Sequence, residues 1–264
     1  MSHELDIFLP ARDSLRISQD ERETVIRSCR EITSYSKKCI FSLHRHVEKE
    51  AVYNEIKDYL KIIKDHLIQI DKIYKNENYS LRGSISGAIE ELIEFFTFGF
   101  YKYHRKLLRY ELFIYLIDNL IEGSLDYVAG IIIGKENLEE FDEIDTSNPH
   151  FYVDVIDKAD YIMGLFDCSG EIMRMVISES TNTDGMIKNT QTLIDYDFMK
   201  KLYEHYITLQ TYYPGVSIYN GIFDNSINSK GNNSFKKKLQ VFQSSINKIE
   251  NTLIDNLISD KETL

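Results

Sequence analysis

Two pairs of carboxylates in this chain sit where an acid is least comfortable. Glu91 and Glu94 lie in Ala88-Ile89-Glu90-Glu91-Leu92-Ile93-Glu94-Phe95-Phe96, and Asp167 and Glu171 lie in Leu165-Phe166-Asp167-Cys168-Ser169-Gly170-Glu171-Ile172-Met173-Arg174. On a helix, residues three or four apart share a face about one turn apart. Like charges so placed repel one another, and the apolar neighbours raise the cost by removing water. Arg174, three residues beyond Glu171, can relieve that acid, but no lysine stands at a relieving spacing along either segment. A bound cation is therefore expected if the two helices pack together. Hard oxygen ligands of this kind suit Mg²⁺ or Mn²⁺, and two such ions support in-line attack on a phosphodiester, one activating water and the other stabilising the leaving oxygen. Glu90 also shares a face with Glu94. The plain alternative is an exposed acidic face on each helix.

Several other chemistries have no residues to carry them. A di-iron bundle needs a Glu three residues before a His, and none of the seven histidines has one. No phosphate-binding Gly-rich loop, nucleophile elbow, zinc-protease or dinucleotide fingerprint occurs. The three cysteines, Cys29, Cys39 and Cys168, lack a CxxC spacing and read as free thiols. Cys168, beside the acids, reads as small-residue packing.

The elements that must position the acids are helices. Apolar residues recur at a period near 3.6, and period-two alternation is almost absent. Ser18-Gln19-Asp20-Glu21 forms a capping box ahead of Val25, Ile32, Ile40, Leu43 and Val47, so a first helix is expected from Ser18, after a flexible segment 1–17. A second helix is expected over 51–75, a third over 84–122 without interruption, and a short one from the cap Ser124 to Gly134. An acidic loop over about 136–153 follows, then helices over 155–180 (capped by Asp154), 191–211 and 235–258. A polar loop, 225–234, precedes the last. Only Pro10, Pro149 and Pro214 interrupt the chain. These features predict an all-α, single-domain antiparallel bundle of about seven helices over 18–260.

No run of about 18 uncharged apolar residues exists, and Met1–Asp20 is too polar for a signal peptide, so no membrane association is expected. The net charge of −11 argues against nucleic-acid binding by the whole surface, yet leaves room for a local basic strip or a basic partner.

Three segments resemble blocks of the translin superfamily, on its X-type branch (TRAX). Ala159-Asp160-Tyr161-Ile162-Met163-Gly164-Leu165-Phe166-Asp167-Cys168-Ser169-Gly170-Glu171-Ile172-Met173-Arg174-Met175 is similar to that family's DYLxGxxDxxGELMRM block. Ser28-Cys29-Arg30-Glu31-Ile32-Thr33 followed by Ser36-Lys37-Lys38-Cys39-Ile40-Phe41-Ser42-Leu43-His44-Arg45 is similar to SRDIT…SKxxIFxLHR. Lys237-Lys238-Leu239, with Lys248-Ile249-Glu250-Asn251, is similar to KKL…KVEN. The family's FHR-like residues correspond to Leu81-Arg82-Gly83, with the arginine displaced by one, and the region 106–123 is longer than usual.

The resemblance implies a translin-like fold and assembly with a translin-type subunit into a hollow hetero-oligomer. In such an assembly the X-type subunit is a metal-dependent endoribonuclease, and translin is the basic partner that binds single-stranded RNA, with DNA as a further ligand. It implies that Glu91, Glu94, Asp167 and Glu171 are the catalytic carboxylates and metal ligands, with Glu90 as the substitute ligand if the register slips by one. It also implies action in the cytoplasm and nucleus. Retention of all four carboxylates favours the X-type subunit over translin itself. The other reading of such a chain is a non-catalytic scaffold or single-strand-binding subunit.

Basic residues offer nucleic-acid contacts. Arg30, Lys37, Lys38 and Arg45 form a strip that is either RNA-facing or an ordinary helix surface or subunit contact. His104 and Arg105 lie about three helical turns beyond Glu94 and either touch substrate or, the better reading for His104, serve structure. The run Phe95-Phe96-Thr97-Phe98-Gly99-Phe100 suits core packing better than base stacking.

Overall fold

Helical spacing of apolar side chains decides which faces are covered. Val52, Ile56, Leu60, Ile63, Leu67 and Ile70 recur every three or four residues, and all are buried. The computed structural model describes residues 8–45, 48–74, 81–136, 155–182, 185–212 and 230–262. They form eight helices and no strand: α1 (Leu9–His44), α2 (Lys49–Tyr74), α3 (Arg82–His104), α4 (Tyr110–Glu122), α5 (Leu125–Ile132), α6 (Lys158–Asn182), α7 (Gly185–Tyr212) and α8 (Lys230–Glu262). None of them is long and apolar enough to cross a membrane.

Helix α3 is the hub. It is apolar nearly all round, and Ile85, Ile89, Leu92, Ile93, Phe95 and Phe96 among others are buried, so it must be enclosed by other helices. The run Phe95, Phe96, Phe98 and Phe100 lies in this core, as its composition suggested. Helices α1 and α6 flank α3 and run in its direction. The α1–α3 register is constant, because Lys37 pairs with Glu91 and His44 stacks on Phe98 at 4.7 Å, both at a separation of 54 residues (91 − 37 and 98 − 44). The α3–α6 register is constant as well: Ser86 bonds Asp160 and Arg105 bonds Glu179, each pair 74 residues apart. A Cβ on Gly164 would lie 2.6 Å from the Glu90 carbonyl oxygen and 2.8 Å from Ile93 Cβ, so only glycine admits this approach.

The outer helices close the bundle in antiparallel pairs. On α1 and α2, Ser28 Oγ donates to Gln69 Oε1 (3.0 Å) near one end and Ser42 Oγ to Glu55 (2.5 Å) near the other. Tyr206 of α7 stacks on Phe166 of α6 at 3.7 Å, and Phe235 and Phe242 of α8 pack edge-on against that same ring.

Several local expectations need correction. The first helix begins at Leu9 and not at Ser18, because Pro10 supplies a first turn that needs no N–H and nothing breaks the helix before the cap-like residues. Residues 9–17, expected to be flexible, are therefore helical, while 1–7 lie outside the described residues. The uninterrupted helix over 84–122 divides at Arg105, a non-glycine residue with φ of 52°. Such a conformation costs about 1–2 kcal/mol; here Arg105 also donates to Glu179 (2.9 Å) and Asp195 (3.2 Å), interactions that no local pattern reveals. Helix α6 starts at Lys158, and its cap is Asp157, whose Oδ1 accepts from Ala159 N at 3.1 Å. Asp154, most of the acidic loop (137–154), Val47 and loop residues 225–229 lie outside the described residues; α8 takes in 230–234. The cap at Ser124 is as expected: its Oγ accepts from Tyr127 N at 3.4 Å.

The contrast between two glycines tests the role of the α3–α6 approach. Gly164→Ala should destabilise the protein by about 1–3 kcal/mol through overpacking. Gly87→Ala, on an exposed helical face with open space around it, should stabilise it by about 0.5–1 kcal/mol. Urea denaturation of both variants would check this, and a neutral Gly164→Ala would contradict the assigned contact.

Candidate metal centre

Parallel register brings the two acidic pairs together. Glu90, Glu91 and Glu94 come from α3, and Asp167 and Glu171 come from the adjoining stretch of α6. Glu94 is the most perturbed of them. Burial pushes its carboxyl up to about 8, and the charges of Asp167, Glu171 and Glu91 push in the same direction, with Lys238 opposing. A carboxylate so placed holds a proton for want of a stronger cation.

The other acids have protein partners. Lys238 Nζ, from α8, donates to Asp167 Oδ2 (2.6 Å), the Met163 carbonyl (3.1 Å) and Glu90 Oε2 (3.2 Å). His44 Nε2 lies 2.6 Å from Glu171 Oε2, and Arg174 donates to Glu171 Oε1. Burial raises the Glu171 carboxyl, but the His44 hydrogen bond and the Arg174 charge outweigh it, and the net direction is down. Lys37 Nζ stands 3.0 Å from Glu91 Oε1, whereas Glu91 Oε2 is buried with no hydrogen-bond partner.

As the side chains lie, no three His, Cys, Asp or Glu residues among the described ones form a ready cage for an ion. The donor set nonetheless suits a hard divalent cation. It is all oxygen and anionic, it contains the orphaned Glu91 Oε2, and Glu94 sits with its proton affinity raised by three neighbouring acids. Asp167, with its side chain 40% exposed, opens the group to solvent.

Arg174 relieves Glu171 as its spacing suggested, and the lysines that serve the other acids come from outside the two acidic segments. Lys238 reaches in from a distant helix. Its signal was present in the sequence: Phe235, Lys238, Leu239 and Phe242 follow helical spacing, so the lysine lies on the apolar face of α8. His44 was legible only as part of a family block.

The basic residues fall into two groups. Arg30, Lys37 and Lys38 are exposed on α1, with Lys38 over the Tyr35 ring at 3.9 Å, while Arg45 bonds Glu55. Of these, Lys37 reaches the acidic group. His104 Nε2 lies 2.7 Å from the Ile131 carbonyl, and the ring packs on Phe100 at 4.4 Å; burial lowers its proton affinity. Arg105 belongs to a cluster with Asp195, Glu179 and Tyr101, whose hydroxyl donates to Asp195 at 2.6 Å. Arg82 bonds Asp160 and the Val155 carbonyl. All three cysteines are buried free thiols.

An all-helical fold with acids converging from two in-register helices defines the class: a helical bundle with a carboxylate-lined centre. The Translin family model matches residues 20–260, and the chain belongs to that family. It is similar to "Translin-associated protein X" of Mus musculus (24% identity over 248 residues, 92% of this chain and 75% of the relative). It is also similar to "Translin-associated protein X homolog" of Schizosaccharomyces pombe (22% over 268 residues, 97% and 89%). Among solved structures it shares its fold with AfC3PO (TM-score 0.56, 18% identity, 95% and 96% coverage) and apo-NeC3PO (TM-score 0.50, 15% identity, 97% and 98% coverage).

Glu94 gives a pH signature. Its folded value stands above the ordinary carboxylate range, so the stability it contributes is complete at low pH and is lost as pH rises through about 8. In chelator, the melting temperature of the wild type should fall relative to Glu94→Gln between pH 6 and 9, and added Mg²⁺ should narrow the gap. Parallel melting profiles for the two proteins would refute the assignment.

Proposed function

We propose that this chain is the metal-dependent endoribonuclease subunit of a translin-type hetero-oligomer, cutting single-stranded RNA or RNA passenger strands. The observation that carries this reading is the convergence, in a translin-family chain, of Glu91, Glu94, Asp167 and Glu171 from two helices held in register, with Glu94 pushed up to about 8. Mg²⁺ or Mn²⁺ held by these carboxylates would lower the pKa of its bound water and stabilise charge on the phosphate. The chain's own residues have separable tasks. Glu94 and the free oxygen of Glu91 offer the ion unmatched negative charge. The His44 contact orients Glu171, as outer partners do for metal-ligating groups. Asp167 stands at the solvent side, where a substrate phosphate enters. Lys37 and Arg174, with side chains 61% and 65% exposed, stand at the rim and can meet phosphates on either side of the cut.

The partner is part of the proposal. A net charge of −11 makes the isolated chain a poor RNA binder, so a basic translin-type subunit is expected to supply most of the electrostatic surface. Exposed apolar side chains such as Leu15, Ile17, Leu193, Ile194, Val241 and Ile258 are consistent with assembly. The proposed sites of action are the cytoplasm and the nucleus.

A second reading has one observation in its favour. Four of the acids already have basic partners, which is what a non-catalytic RNA- or single-stranded-DNA-binding scaffold would need. The two readings part in one assay. With a translin-type partner and Mg²⁺, Asp167→Ala and Glu94→Ala should each lower the cleavage rate by at least about 10²-fold while leaving the size of the assembly unchanged. Undiminished cutting by both variants, or a wild type that binds RNA without cutting it, would favour the scaffold.

A further inference from the structure

Lys238 is the residue of this centre that the carboxylate spacing did not anticipate. Its side chain, 21% exposed, rises from the apolar face of α8 between Phe235 and Phe242, and its ammonium reaches the seam of α3 and α6. An ammonium has three donors and no acceptor. All three are used, on Asp167 Oδ2, Glu90 Oε2 and the Met163 carbonyl. A lysine so saturated has no donor left for a substrate phosphate. It is a fixed cation, bound to acids from two helices.

The charges of the centre lead to a count. Glu90, Glu91, Glu94, Asp167 and Glu171 bring five negative charges when ionised. Lys238, Lys37 and Arg174 bring three positive ones. Among the described residues the acids of the centre thus outnumber its lysines and arginines by two, which matches one divalent ion and is half of what two would need. The oxygens agree with the charges. Both oxygens of Glu171 are taken, by His44 and Arg174. Asp167 Oδ2 and Glu90 Oε2 are taken by Lys238. Of the four carboxylates assigned as ligands, that leaves Glu94, Glu91 Oε2 and the second oxygen of Asp167. That is enough anionic oxygen for one hard cation that keeps several waters, as Mg²⁺ prefers.

We propose that the centre takes one divalent ion per chain and that the Lys238 ammonium, bridging Asp167 and Glu90, stands where a second would be bound. This rests on the metal reading of the centre and replaces the two-ion arrangement that four carboxylates alone suggest. Lys238 is in this sense a positioning residue: it holds Asp167 and sets the stoichiometry, and it does not touch substrate.

Mn²⁺ titration of the full chain with a translin-type partner, with free ion read by electron paramagnetic resonance, tests it without reference to activity. Ions are assigned to the centre when Glu94→Ala abolishes them. The wild type and Lys238→Arg should bind one such ion per chain, and Lys238→Met should bind two. Lys238→Gln, similar in length and able to donate, serves if the methionine variant does not fold, with the same expectation of two. Two ions in the wild type, or one in the charge-removing variant, overturns the role of Lys238 while leaving the metal reading intact. No specifically bound Mn²⁺ in the wild type or its variants overturns the metal reading, and this proposal with it.

Discussion

The missing side chain at Gly164 is the constraint on which the centre depends. It lets the backbone of α6 press against the Glu90 carbonyl and Ile93, and this contact sits in the middle of a register that Ser86–Asp160 holds at one end and Arg105–Glu179 at the other. With the helices parallel and 74 residues offset, Glu94 faces the turn that carries Asp167 and Glu171. A slip of one residue would rotate those acids by about 100° around the helix and scatter them. The apolar shell of α3 makes that slip costly, since the same rotation would expose phenylalanines. Thus the core, which has no chemistry of its own, specifies the geometry of the groups that do.

Electrostatics then works against the packing. The bundle encloses five carboxylates, and their mutual repulsion is answered in different ways. Glu171 gains a histidine and an arginine, Glu91 a surface lysine, and Asp167 and Glu90 share Lys238. Glu94 gains no such partner among the described residues and rises toward neutrality instead. The arrangement is asymmetric: among the described residues, four of the acids have a direct basic partner and Glu94 has none.

Much of this was legible in residue order, and the limits of legibility have physical causes. Helical periodicity located the helices and the buried faces of α2 and α3, because burial acts on the 3.6-residue period directly. The acidic pairs could be picked out because like charges among apolar neighbours are costly wherever they occur. The break at Arg105 was not legible: its left-handed backbone accompanies ion pairs with residues 74 and 90 positions away, and no proline or glycine marks it. Ser18 misled for the opposite reason, since a cap-like pattern stops nothing when the preceding residues also accept a helix. Lys238 lay between these cases, detectable as a charge on an apolar face but without a visible partner until α6 was placed beside α8.

The position of Lys238 in the chain has a consequence for synthesis. Helices α3 and α6 leave the ribosome well before α8, and domains begin to fold as their segments emerge. In that interval the acidic seam lacks its internal ammonium, and Phe166 lacks the rings of Phe235 and Phe242 that cover it. The nascent bundle is thus both electrostatically open and apolar at its surface until its last helix arrives. The last helix therefore closes the seam: only once α8 has been made does Lys238 answer Asp167 and Glu90 while Phe235 and Phe242 cover Phe166.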